Sequence, residues 1–156
     1  MNNVVLGSER FTYYETVAGG QGACPHADGP SGVHVAMTNT LNTPIEALEL
    51  AYPLHVERYA LRVGSGGAGE RRGGDGVIRE VRTLEACRLS VLAQRRSVAP
   101  RGAAGGADGA SGLTLVNGER LPASASRELA AGDVIRIETP GGGGYGLDLR
   151  VYRDIS

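Results

Sequence analysis

The stretch that decides the fold class spans residues 76–95 and reads GVIREVRTLEACRLSVLAQR. Its first part, GVIREVRTL (76–84), alternates side chains between two faces, and CRLSVLAQR (87–95) carries apolar residues at alternate positions. A period of two residues is typical of β-strands, whereas an amphipathic helix needs a period of 3.6. Glu85 and Ala86 leave room only for a tight connection. We therefore predict a β-hairpin over residues 76–95.

The segments on either side predict further strands and one short helix. Asn117-Gly118 lies between apolar flanks, and this dipeptide favours a two-residue hairpin turn because both positions need positive φ. Thr43 followed by Pro44 is a typical helix start, and we expect a helix over residues 44–51. Strands are predicted at FTYYETV (11–17), LHVERYALRV (54–63) and around Val134–Ile137. Strands at short intervals indicate a mainly β fold, an antiparallel sandwich or barrel-like sheet with glycine-rich loops and one or two short helices; an α+β fold is the alternative.

The composition is that of one globular domain. The chain has 156 residues, 41% of them hydrophobic, and a net charge of −1, so it favours neither nucleic acid nor an anionic membrane as a partner. All sixteen basic residues are arginine, which excludes lysine-based chemistry. Cys24 and Cys87 are isolated and lie in no CxxC or metal-finger spacing, which suggests a reducing compartment, and no signal peptide or apolar span is apparent. We therefore expect a cytoplasmic protein.

Two glycine-rich segments suggest either an anion site or unusually close packing. Glycine makes up 25 residues, about 16% of the chain against a usual ~7%. In GSGGAGERRGGDG (64–76), converging backbone amides and arginine side chains could bind a substrate or phosphate group, and the candidate residues are Gly67, Arg71, Arg72 and Asp75. The segment matches neither a P-loop nor a dinucleotide fingerprint. The competing interpretation, which also applies to TPGGGGYG (139–146), is that glycine permits backbones to approach closely.

The histidines provide one candidate catalytic residue. His34 lies in SGVHVAMTNT beside a polar group that includes Asn39, and these two are the candidate catalytic residues; a hydrogen-bonded structural histidine is the alternative. His26 and His55 have no metal-ligand spacing with it, so we predict no metal ligand in this chain.

Blocks of sequence in a fixed order resemble a known family. The blocks run from FTYYETV (residue 11) to REVRTL (residue 84) and continue with LAQRR (92–96), AAGGADGASG (103–112) and IETPGGGGYG (137–146). Together they are similar to the C-terminal region of hydantoinase B/5-oxoprolinase proteins. The resemblance implies an N-terminal extension at 1–10, a hydantoinase B-like domain at 11–146 and a tail at 147–156. In the family's version of the SGVH segment a second histidine often follows, where this chain has Ala36.

The resemblance also implies a function and partners. It indicates the C-terminal portion, or a split subunit, of an ATP-dependent cyclic amide hydrolase that acts with an A-type ATPase subunit and the N-terminal B-type portion. Such a chain would be inactive alone and would bind no cofactor by itself; ATP and a divalent metal belong to the full assembly. A non-catalytic assembly module or gene remnant, and a subunit of a related acetone- or acetophenone-type carboxylase, are the alternatives.

Overall fold

The computed structural model describes residues 1–35 and 38–148. Ala36, where the resemblance expects a second histidine, and most of the predicted tail at 147–156 lie outside the described residues. The described part is mainly β, as predicted, with one short helix. Two antiparallel sheets pack face to face as a sandwich rather than closing into a barrel.

The four-stranded sheet has the order β2-β1-β5-β8. Its strands are β1 (Asn2–Gly7), β2 (Thr12–Thr16), β5 (Cys87–Ala93) and β8 (Ser124–Leu129). Strand β2 was predicted, whereas β1 lies in the segment that we described as an extension. β1 lies inside the sheet, where it pairs with β2 on one side and β5 on the other. Its Val4 and Leu6 alternate with less buried residues and enter the core.

The five-stranded sheet has the order β3-β4-β9-β6-β7. It contains β3 (Leu54–Arg62), β4 (Gly76–Thr83), β6 (Leu113–Val116), β7 (Glu119–Arg120) and β9 (Val134–Glu138). Asn117 and Gly118 form the predicted β6–β7 turn with φ values of 50° and 84°. Helix α1 (Ile45–Ala51) follows Pro44 as expected, and its Leu48 is fully buried in the core.

The predicted hairpin over 76–95 is wrong. Strands β4 and β5 exist, but β4 pairs with β3 and β9, whereas β5 pairs with β1 and β8 in the other sheet. The intervening residues cross from one sheet to the other, and the backbone of Leu84 bonds to Pro53 instead of to β5. The two strands face each other across the core, so their alternating apolar residues are buried as well as they would be in a hairpin. Val81 and Leu89 are examples.

A bundle of glycine-rich segments lies at one end of the five-stranded sheet. We call residues 20–30, 65–76, 101–110 and 139–146 the glycine bundle. Segment 139–146, which continues β9, is its centre and exchanges backbone hydrogen bonds with four surrounding parts of the chain: 20–23, 67–77, 103 and 107–110. In a β-ladder, by contrast, a strand bonds to two neighbours at most.

Glycine is required in the bundle because no side chain fits between the backbones. A methyl group added at Gly142 would overlap the carbonyl of Gln21, and one added at Gly143 would overlap the carbonyl of Arg101. This is the same reason that collagen needs glycine where its three chains meet. The same overlap with a neighbouring backbone occurs at Gly20, Gly29, Gly66, Gly67, Gly73, Gly74, Gly76, Gly102, Gly141 and Gly144.

Candidate functional site

The predicted anion-binding segment is part of the glycine bundle, and its donors already have partners. The amide of Gly67 donates to the carbonyl of Gly142 at 2.8 Å, and the amide of Arg71 donates to the carbonyl of Tyr145 at 2.9 Å. The amide of Gly73 donates to Gly67. Because these amides bond to other backbone groups, their geometry favours the packing interpretation.

Arg72 and Asp75 form an ion pair within this segment. Nη2 of Arg72 is 2.9 Å from Oδ1 of Asp75, whose carboxylate also accepts a hydrogen bond from the amide of Gly66. The amide of Asp75 donates to the hydroxyl of Ser31, and the amide of Arg72 donates to Asp28. These contacts fasten loop 64–76 to loop 19–33. The binding roles that we expected for Gly67, Arg71, Arg72 and Asp75 remain predictions.

The predicted histidine lies in a chain of polar side chains. Nε2 of His34 is 3.0 Å from Oδ1 of Asn42, and because an amide oxygen only accepts, Nε2 is the donor of this hydrogen bond. Nδ1 is buried and has no hydrogen bond to a described residue. The amide nitrogen of Asn42 donates to the hydroxyl of Tyr59. Asn39, the other candidate, is exposed, and the side chain that contacts His34 is Asn42 instead.

The polar chain ends at an ion pair in the core. The guanidinium carbon of Arg79 lies 4.7 Å from the ring centroid of Tyr59, a cation–π distance. Nε of Arg79 is 3.2 Å from Oε2 of Glu15, and these side chains are only 1% and 8% exposed. Tyr13 lies beside the pair, and burial, followed by the charge of Glu15, raises the pKa of its hydroxyl above the ordinary value.

Burial of charge in the core is expensive unless the charged groups are paired and hydrogen-bonded. Removing one member of a buried ion pair typically costs about 3–5 kcal/mol, while replacing both by apolar residues is often neutral. None of the three guanidinium nitrogens of Arg79, nor Oε1 of Glu15, has a hydrogen bond to a described residue, so the pair is in charge contact but incompletely satisfied. We define the polar relay as His34, Asn42, Tyr59, Arg79, Glu15 and Tyr13, and it is the candidate functional site.

Sequence reasoning identified only His34 of the polar relay, although a signal for Arg79 was present. Arg79 occupies a position in β4 between Val77 and Val81, which are both in the core. A charged residue on the apolar face of a strand indicates a buried pair or a site. Glu15 could not be linked to Arg79 from sequence, since the two residues are 64 positions apart in the chain and lie in different sheets.

The described residues do not fit a metal ion. Nowhere in 1–35 and 38–148 do three histidine, cysteine, aspartate or glutamate side chains come together as a ligand group. Over the same residues, no helix is both long and apolar enough to cross a bilayer.

The fold and the site define a β-sandwich module with a glycine bundle and a buried polar relay, and comparisons place this module in a family. The profile of the Hydantoinase B/oxoprolinase family matches residues 1–148, and the chain belongs to that family. It is 44% identical over 151 residues to a 5-oxoprolinase of Dictyostelium discoideum, covering 94% of this chain and 12% of that protein. The chain therefore spans about an eighth of that curated relative.

Two solved structures share the fold. An ATP-dependent caprolactamase from Pseudomonas jessenii superposes with a TM-score of 0.78 at 26% identity, covering 95% of this chain and 29% of that chain. The nucleotide-free structure of an acetone carboxylase gives a TM-score of 0.63 at 16% identity, covering 99% and 27%, which shows likeness of fold alone. Both are several times longer than this chain.

Proposed function

We propose that this chain is the C-terminal portion, or a split subunit, of an ATP-dependent cyclic amide hydrolase of the hydantoinase/5-oxoprolinase type. It acts with an A-type ATPase subunit and the N-terminal B-type portion, and has no activity by itself. The observation that carries this proposal is 44% identity to a 5-oxoprolinase along 94% of the chain. The likeness to an ATP-dependent caprolactamase supports the same class of reaction.

In this proposal the chain contributes structure and one wall of a shared site. In this proposal ATP and a divalent metal bind to the rest of the assembly, as the family resemblance implies. The polar relay supplies His34, whose Nε2 donates a hydrogen bond to Asn42 and whose buried Nδ1 has no hydrogen bond to a described residue. Arg79 and Glu15 anchor the far end of the relay inside the core.

A chimera tests the proposal. In the Dictyostelium 5-oxoprolinase, the matching 151 residues are replaced by this chain, and ATP-dependent opening of 5-oxoproline is measured together with phosphate release. We expect ring opening coupled to ATP hydrolysis by the chimera and none by the isolated chain. A folded chimera that opens neither 5-oxoproline, hydantoin nor caprolactam would remove the basis for this function.

One observation favours the alternative of a non-catalytic assembly module: the backbone donors at the centre of the glycine bundle bond to one another. The two functions differ in the effect of His34→Ala and of Asn42→Ala in the chimera. A role in the shared site predicts at least a tenfold fall in turnover with ATP binding and assembly unchanged. An assembly role predicts full turnover in both variants as long as the chimera folds.

A further inference from the structure

The two outer faces of the sandwich differ sharply in charge. On the five-stranded sheet, Arg136 contacts Glu80 at 2.8 Å and Glu138 at 2.7 Å, and Arg62 contacts Glu138 at 2.9 Å. Arg82 pairs with Glu57 further along the same sheet. Such a lattice of ion pairs suits a surface that stays in water.

The outer face of the four-stranded sheet has an uncharged centre. Val4, Leu6, Leu89 and Val91 enter the core, so the residues between them point outward. Strand register aligns these outward residues in two rows across all four strands. One row holds Thr16, Asn3, Leu92 and Ser124. The other row holds Tyr14, Val5, Ser90 and Ser126. We call these eight residues the uncharged face.

The uncharged face carries the marks of an interface. Tyr14 is 59% exposed and Leu92 is 55% exposed. A shallow depression of about 470 Å³ lies over the face, and no residue that lines it is charged. The next row holds Arg88 and Glu128, which pair with each other and, with Glu9, line a neighbouring depression of about 610 Å³ at the edge of the face. Depletion of charge at the centre, with charged or polar residues at the rim, distinguishes protein interfaces from other surfaces.

The size of the face indicates what covers it. Four strands of about 4.8 Å spacing, and two outward rows that span about four residues of about 3.4 Å rise, give roughly 260 Å². A stable complex of separate chains buries about 800 Å² on each partner, so this face alone is too small for a stable dimer of two copies. A segment of the same polypeptide needs less area, because the linkage raises its effective concentration.

We propose that the uncharged face is the docking surface for the remainder of a longer hydantoinase B-type protein. In the Dictyostelium relative the matching segment is only 12% of one polypeptide, so such a remainder exists there within the same chain. The inference rests on the proposed function for the identity of the partner. The contacting surface of the partner is uncharged and presents at least one apolar side chain to the depression.

Cysteine labelling tests the docking surface. Ser126→Cys introduces an exposed thiol on the uncharged face, and His55→Cys introduces one on the outer face of the other sheet. Both are made in a Cys24→Ser background, and maleimide labelling of each peptide is followed by mass spectrometry in the isolated chain and in the chimera. We expect the thiol at position 126 to react at least tenfold more slowly in the chimera, whereas the thiol at 55 reacts within twofold in both.

Equal labelling of position 126 in the isolated chain and in the chimera overturns the docking surface. Protection that is already present in the isolated chain and disappears on dilution also overturns it, because it identifies a second copy as the occupant. An insoluble chimera counts against the proposal, since a fitting face should allow replacement of the matching segment. Ring-opening activity is measured separately, so an active chimera without protection refutes only the docking surface, and protection without activity refutes only the proposed function.

Discussion

Substitution of Gly142 by alanine should destabilise the protein more than a single methyl group normally does. The amide of Gly142 donates to Gly74 and its carbonyl accepts from Gly67, both at 2.8 Å. The added methyl would overlap the carbonyl of Gln21, a backbone atom that cannot rotate away. That carbonyl accepts a hydrogen bond from Gly74 at 2.8 Å, so any movement of Gln21 disturbs a second pair of segments.

The expected magnitude follows from these contacts. Overpacking in a close-packed interior costs about 1–3 kcal/mol. Each lost hydrogen bond adds about 0.5–1.5 kcal/mol, and at least two are affected. We expect Gly142→Ala to lower the free energy of unfolding by about 2–6 kcal/mol in urea titrations followed by circular dichroism. At about 2–4 °C per kcal/mol for a chain of this size, Tm should fall by at least about 4 °C.

Gly22 provides a matched control in the same bundle. A methyl added at Gly22 would lie 3.7 Å from the carbonyl oxygen of Gly143, which is ordinary van der Waals contact, and Gly22 has no positive φ. Gly22→Ala should be neutral or stabilise by up to about 1 kcal/mol through the unfolded chain. Equal unfolding free energies for Gly142→Ala and Gly22→Ala, within about 0.5 kcal/mol, would refute the claim that close backbone approach requires glycine in the bundle.

Three further predictions concern the polar relay and the β6–β7 turn. Arg79→Leu should lower the free energy of unfolding by about 3–5 kcal/mol in chemical denaturation, because it leaves Glu15 buried and unpaired. The double variant with Arg79→Leu and Glu15→Leu should recover most of this loss. A double variant as unstable as the single one contradicts the pairing. Burial raises the pKa of Tyr13 above its unfolded value of 10.0, so the stability that the neutral hydroxyl confers is complete below pH 10 and is lost as the pH rises further. Tyr13→Phe should therefore flatten the alkaline fall in the free energy of unfolding, measured by urea titration. An unchanged fall with pH contradicts this prediction. Asn117→Ala and Asn117→Gly both remove the side-chain hydrogen bonds of Asn117 to Asp133 and to the amide of Val134. Because φ is 50° at this position, Asn117→Ala should cost about 1–2 kcal/mol more than Asn117→Gly in thermal unfolding. The reverse order would show that backbone conformation is not the cause.

The local pattern of the chain predicted most strands but not their partners. Alternation in β4 and β5 correctly indicated which side chains face the core, yet a hairpin and a crossing between sheets bury Val81 and Leu89 equally well. Strand β8 was not predicted, because SASREL combines serine and charge with little apolar character. The turn at Asn117 was predictable, since positive φ restricts the residue types that a position accepts.

The glycine bundle and the polar relay differ in why they escape sequence reasoning. The glycine content signals that backbones approach closely, but Gly142 contacts Gln21 and Gly74 from distant parts of the chain, and no local rule pairs such segments. The polar relay depends on Arg79 and Glu15 meeting across the core, which only the packing of the two sheets brings about. Both features are products of topology, so substitutions that keep local propensity but disturb these contacts are the most informative tests of how the module works.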